Sequence, residues 1–203
     1  ETLGKNGVTS NYQFELAPYT WQLVQNLRKG RALFTQPPMP IKCAGAPQKA
    51  MYLSCDIWRE RGVLPAIDVE FHNAGAALFG VATYVPALME YVEKYRINLK
   101  LESNLVAVDA DRRIATFERK QNGVSERIER GFDMLHVVPP QVSHDVVAKS
   151  SLAAANGFVE VDEATLRHKR YDNVFALGDA AGTSNAKTAA AARKQAPVVA
   201  VNA

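Results

Sequence analysis

The sequence predicts an α/β fold, a parallel sheet of nucleotide-binding type carrying a three-stranded antiparallel β-meander. Three observations predict it. Short apolar runs alternate with helical stretches through the first hundred or so residues, the order expected of parallel strands joined by crossover helices. Three more short runs then follow too closely for parallel pairing, one of them ending at the hairpin signal Asn122-Gly123. Of the 203 residues, 47% are hydrophobic and 22% charged, proportions that allow a real core.

Thr20 to Lys29 reads as a helix with Trp21, Val24 and Leu27 on one face and Gly30 as its stop. Arg31 to Thr35 is a strand. Gln36-Pro37-Pro38-Met39-Pro40 is an extended loop, because each proline lacks an N–H and pushes the residue before it out of the helical region. The loop continues to Ala46, and Pro47 suits the first turn of a helix running to about Arg61. Cys43 therefore falls in a strand-to-helix turn. Ile67 to His72 alternates with period two and is the next strand. A helix spans about Tyr84 to Tyr95, with Pro86 tolerable in its first turn. Leu99–Leu101, Leu105–Val108, Ile114–Glu118 and Ser125–Ile128 are short strands, and Met134 to Val138 is a buried one ending in Pro139-Pro140. A polar segment then leads to Gly157–Asp162. Tyr171 to Asp179 reads as a strand ending in Gly-Asp, and Thr188 to Ala203 as an Ala-rich helix interrupted by Pro197.

Several function classes are excluded or disfavoured. A net charge of +3, from 24 basic and 21 acidic residues without a long basic run, does not call for nucleic acid. No apolar stretch reaches the length of a membrane span. Two cysteines do not make a disulfide framework. His72, His136, His144 and His168 show no metal-ligand spacing, and His136 reads as a core histidine. The chain opens at Glu1 without Met and closes inside a helical run, so it reads as a piece of a longer protein.

Two places carry chemistry. A carboxylate at the end of the Asn173–Asp179 strand can accept a hydrogen bond from a polyol, and a following helix N-terminus favours negative charge; by spacing alone the same residues are equally an ordinary turn and helix cap. Cys43 lies beside Lys42 and near a helix N-terminus, surroundings that favour a thiolate, although a lone turn cysteine is more often simple packing. Cys55 shares a helical stripe with Met51 and Trp58 and is a core residue.

The run N-V-F-A-L-G-D at Asn173–Asp179 resembles the second flavin motif of the pyridine nucleotide-disulfide oxidoreductase superfamily. Lys42-Cys43-Ala44-Gly45-Ala46-Pro47-Gln48-Lys49, Leu3–Val8 with Ser10-Asn11-Tyr12, Met134-Leu135-His136-Val137-Val138-Pro139-Pro140, and Asn185–Ala191 then resemble the sulfide:quinone oxidoreductases, in its mitochondrial-like branch and in the same order. The resemblance implies a Rossmann-like domain at 31–140, a connecting segment at 1–30, and a partial return to an FAD-binding domain at 141–203. It implies that the parent oxidises sulfide to a protein-bound persulfide or polysulfide and passes two electrons through FAD to a membrane quinone. Cys43 would be the sulfur carrier. Gly178 and Asp179 would hold the flavin's ribityl chain, Lys187 and Thr188 would form the helix start beside the ring, and Pro139-Pro140 would be the crossover between domains. The second redox cysteine and the ADP-binding glycine motif would lie outside this chain. The parent would sit peripherally on a bacterial cytoplasmic or mitochondrial inner membrane through segments not present here, whereas the piece alone would be soluble, inactive and free of FAD. No Gly-x-Gly-x-x-Gly occurs, and at the turn where a nicotinamide-using relative would carry one the sequence has Cys43–Pro47. The rivals are an NAD(P)H-dependent FAD disulfide reductase or type II NADH dehydrogenase, and a non-catalytic Rossmann-like interaction domain.

Overall fold

Five parallel strands form the main sheet of the computed structural model, which describes residues 2–121 and 124–203. They are β1 (Val8–Thr9), β2 (Gly30–Gln36), β3 (Ile67–Asn73), β4 (Asn98–Lys100) and β8 (Met134–His136), in the spatial order β1-β8-β2-β3-β4. The remaining strands, β5 (Ser103–Asp109), β6 (Ile114–Gln121) and β7 (Val124–Gly131), make the antiparallel meander. The Asn122-Gly123 turn lies outside the described residues. Helices α1 (Ala17–Asn26), α2 (Gly45–Glu60) and α3 (Val85–Lys94) connect β1 to β2, β2 to β3 and β3 to β4; α4 (Asp145–Ala148) and α5 (Ala189–Asn202) follow β8.

Alternation along the strands sorts the core into two layers. Ala32 and Phe34 of β2 and Met134 of β8 pack with Met51, Cys55 and Trp58 of α2, all fully buried. Leu33 and Leu135 point the other way, against Val8, Ala115 and Phe117. The register Leu33↔Leu135 and Phe34↔His136 keeps the two strands in step. Cys55 is the core residue its stripe predicts. Trp58 donates from Nε1 to the Val24 carbonyl at 2.9 Å, tying α2 to α1, whereas Trp21 of α1 stays 46% exposed with the Arg61 guanidinium 5.9 Å from its ring centre.

A buried polar network joins the sheet to the meander. The His72 ring stacks on Phe117 with centroids 3.7 Å apart, and its Nδ1 and Nε2 lie 2.8 Å from Ser103 Oγ and 2.9 Å from Glu70 Oε2. Burial pushes His72 down, so the neutral ring donates from Nε2 to Glu70 and accepts from Ser103. Burial alone would push Glu70 up, but the hydrogen bond from His72 and the nearby charges of Arg130 and Arg31 hold it below the usual carboxylate range.

Three sequence expectations change. The Tyr171–Asp179 strand is not one: Phe175 makes a single bridge to Arg167, and Gly178–Ala180 forms a 3-10 turn. The segments beside it, around Val159, Val161 and His168, are likewise joined only by isolated bridges, so no continuous ladder is available to pair with. Helix α1 begins at Ala17, before the expected Thr20, with Pro18 in its first turn. Pro197 does not interrupt α5, which runs through it to Asn202.

The contacts divide the chain into two units, residues 1–38 with 44–139, and residues 39–43 with 140–203. The first 30 residues belong to the first unit, where β1 pairs with β8. The second has its own small core of Val159, Val161, Leu166 and Ala181.

His136, fully buried in β8, accepts the Asn11 N–H at Nε2 (3.2 Å), which leaves the proton of its neutral ring on Nδ1. Burial pushes its pKa down to about 4. The unfolded chain takes up this proton near the ordinary value of 6.5, so in between the folded state binds fewer protons and stability falls as pH drops. The expected loss between pH 7 and 4.5 is on the order of 2–3 kcal/mol, and His136→Gln should make the decline shallower in urea titrations at stepped pH. An unchanged decline in the variant would refute the assignment.

Candidate functional site

Six of the seven residues singled out in the sequence fall in the second unit: Cys43, Pro140, Gly178, Asp179, Lys187 and Thr188. Pro139 is the last residue of the first unit, so the chain passes from one unit to the other between the two prolines.

Gly178 opens the turn after the extended segment. Its φ of +64° is a left-handed conformation that costs glycine little, and an added Cβ would sit 3.4 Å from Ala192 of α5. Its N–H donates to Gln195 Oε1 at 2.7 Å, a second tie to the same helix. The turn presents Asp179 outward, with its side chain 54% exposed and one carboxylate oxygen 3.5 Å from Lys42 Nζ. Thr188 caps α5, its Oγ1 accepting the Ala191 N–H at 3.0 Å.

Lys187 stands just before that cap. Its N–H donates to the Ile41 carbonyl and its carbonyl accepts the Cys43 N–H, both at 2.9 Å, a one-residue parallel bridge centred on Lys42 and Lys187. Cys43 is therefore fixed by its own backbone amide. It is half-buried and adopts a φ of +57°, a left-handed conformation that costs a non-glycine residue on the order of 1 kcal/mol and needs such external support. The Lys187 side chain turns inward and is buried, its Nζ donating to the Ala181 carbonyl at 2.5 Å and lying 4.1 Å from the centre of the Phe158 ring. Burial lowers its pKa, which Asp179 partly offsets and Lys42 reinforces.

Beside these residues is a cavity of about 280 Å³ lined by Met39, Pro40, Phe158, Thr183 and Lys187, with Glu163 also lining it. Thr183 Oγ1 is buried there without a hydrogen-bond partner among the described residues, while both Glu163 oxygens are taken by Ser184. Among the described residues no group of three or more His, Cys, Asp or Glu could hold a metal ion.

Two contacts of the candidate site are not legible in the sequence. In the sequence Lys42 is a neighbour of Cys43, and in the structure its ammonium is within ion-pair distance of Asp179 across more than 130 residues of chain. The resemblance implies that Lys187 and Thr188 form the helix start beside the ring, and it says nothing of the Lys187 ammonium, which turns to Ala181 and Phe158. No local pattern encodes either contact.

The two cysteines differ in access. Cys55 is fully buried, and burial, with the charge of Asp56 beside it, pushes its thiol up to about 12. A thiol reagent at neutral pH should modify Cys43 at least about tenfold faster than Cys55. Mass spectrometry of partly labelled protein reads the ratio, and equal rates would refute the difference in access.

No family model matches the chain. It is 41% identical over 204 residues to the mitochondrial sulfide:quinone oxidoreductase of Dictyostelium discoideum, an alignment covering 100% of this chain and 44% of that protein. It spans less than half the length of the curated relatives it matches. Among solved structures, a chain in the mitochondrial ATP synthase tetramer of Tetrahymena thermophila superposes with a TM-score of 0.72 at 26% identity, covering 88% of this chain and 43% of that one. The sulfide:quinone oxidoreductase of Aquifex aeolicus superposes with a TM-score of 0.69 at 18% identity, covering 86% and 42%, which shows a shared fold. The identity to the curated relatives is 39–42% and the alignments cover 92–100% of this chain, and on it the chain belongs to the sulfide:quinone oxidoreductase family.

Proposed function

We propose that the chain is part of a flavoprotein that oxidises sulfide at Cys43 and delivers two electrons through FAD to a membrane quinone. The observation that carries this reading is the bridge that fixes Cys43 to Lys187 in the same unit as the Gly178–Asp179 turn. In the overall reaction a sulfur–sulfur bond forms between Cys43 and hydrosulfide. The thiol and hydrosulfide together give a persulfide, one proton and two electrons, and the quinone takes up the two electrons with that proton and a second one from solvent.

The residues present fit the ribityl end of FAD. Asp179 offers an exposed carboxylate to a hydroxyl, Gly178 permits the turn that presents it, and Thr188 organises the start of α5, whose unpaired N–H groups suit a site where negative charge develops. When bound, FAD supplies the two-electron relay between sulfur and quinone. The ADP half has no glycine-rich cradle in this sequence, and we place it on other parts of the parent. We read residues 31–140 as a nicotinamide-type domain without its nicotinamide, residues 1–30 as the connecting segment and 141–203 as part of the FAD-binding domain, with Pro139-Pro140 as the crossover. The parent is proposed to be peripheral to the mitochondrial inner membrane; no helix among the described residues is long and apolar enough to cross one.

A second reading draws on the Tetrahymena match, a chain of this fold within an ATP synthase structure: an interaction domain that keeps the fold without the chemistry. Assays of the parent protein separate the two. Sulfide-dependent quinone reduction is expected from the wild type, and Cys43→Ser should lower it by at least about a hundredfold while the flavin absorbance is kept. A fully active Cys43→Ser would remove the sulfur-carrier role, and a wild type with neither flavin nor sulfide oxidation would favour the interaction domain. NADH should show no saturable binding by calorimetry, because Pro47 and the Cys43–Ala46 turn replace the glycines that let a pyrophosphate approach the backbone. Micromolar affinity would instead favour a nicotinamide-dependent reductase.

A further inference from the structure

The two lysines of the site are held in different ways. Lys42 reaches Asp179 at the surface, where both side chains are about half exposed and water screens the pair, so little positional force comes from it. Lys187 is 3% exposed and makes no ion pair among the described residues. An ammonium taken out of water without a carboxylate stays charged only where other groups replace its hydration. The Ala181 carbonyl at 2.5 Å and the face of Phe158 at 4.1 Å are those groups.

Their positions matter more than their strength. Ala181 is fully buried and closes the Gly178–Ala180 turn, its N–H donating back to the Gly178 carbonyl at 3.3 Å. It also bridges to Val159, next to Phe158. The backbone of Lys187 meanwhile grips Ile41 and Cys43 on either side of Lys42. One residue thus touches both segments, the cysteine segment through its main chain and the Gly-Asp turn through its side chain.

We propose that Lys187 is a positioning residue whose buried ammonium clamps the Gly178–Ala181 turn to the Cys43 segment. In the reading of Cys43 as sulfur carrier and Asp179 as flavin anchor, on which the significance of this role rests, Lys187 fixes the sulfur relative to the flavin. Cys43 needs such a device, because its left-handed backbone relaxes once the segment is released.

The test is differential labelling of the two cysteines in the FAD-loaded full-length parent at neutral pH, with Cys55 as an internal reporter of global opening. Lys187→Met keeps the length of the side chain and removes the charge. It should speed modification of Cys43 by about tenfold and leave Cys55 unchanged, because only a local opening becomes easier. Lys187→Arg, which restores a cation, should bring the rate back to within about threefold of wild type. Wild-type labelling of Cys43 in Lys187→Met would overturn the proposal. Should that variant speed both cysteines alike, Phe158→Leu decides: a selective gain at Cys43 supports the clamp, and none overturns it. Labelling needs neither sulfide nor quinone, so a parent inactive towards sulfide would count against the proposed function and leave this result standing.

Discussion

Neighbouring strands β2 and β8 are buried on both faces, and much of the first unit follows from what that burial requires. A strand covered on one side only could alternate apolar and polar residues, but Ala32, Leu33, Phe34, Met134 and Leu135 leave no face for water. Helix α2 covers one side and the meander the other. The pairing of Phe34 with His136 has a second effect. It sets the C-terminal ends of β2 and β8 side by side, and from these ends the chain runs on to Met39 and to Pro140, where the two segments of the second unit begin. Residues 39–43 and 140–203, far apart in sequence, share one unit, in which the bridge between Lys42 and Lys187 joins them.

Polar groups inside the first unit are tolerated where they are paired, and they join layers that apolar contact alone would leave free to slide. Glu70 is nearly enclosed, yet His72 and the guanidinium groups of Arg31 and Arg130 surround it, so a carboxylate in the interior becomes a junction between β3, β2 and β7. His136 differs. Asn11 satisfies one nitrogen, Nδ1 has no partner among the described residues, and burial keeps the ring neutral.

In the second unit the candidate site residues sit on irregular backbone. Cys43 lies in a left-handed conformation, Asp179 in a 3-10 turn, and Lys187 in a single bridge outside any strand. Such backbone is held by individual contacts rather than by a ladder, so a few named hydrogen bonds carry what a regular element would share among many.

The periodicity of the sequence determined the order of strands and helices, the place of Cys55 in the core and of Cys43 in a turn, because these depend on residues near one another along the chain. Motif runs, compared with known relatives, identified the family for the same reason. Tertiary structure alone decided that Tyr171–Asp179 is no strand, since a strand is defined by its partners and the neighbouring segments offer only isolated bridges. It alone paired Lys42 with Asp179 and turned Lys187 inward onto Ala181 and Phe158. A long flexible lysine has no preferred direction written in its neighbours, and where its charge comes to rest is fixed only when distant segments supply a carboxylate, a carbonyl or the face of a ring.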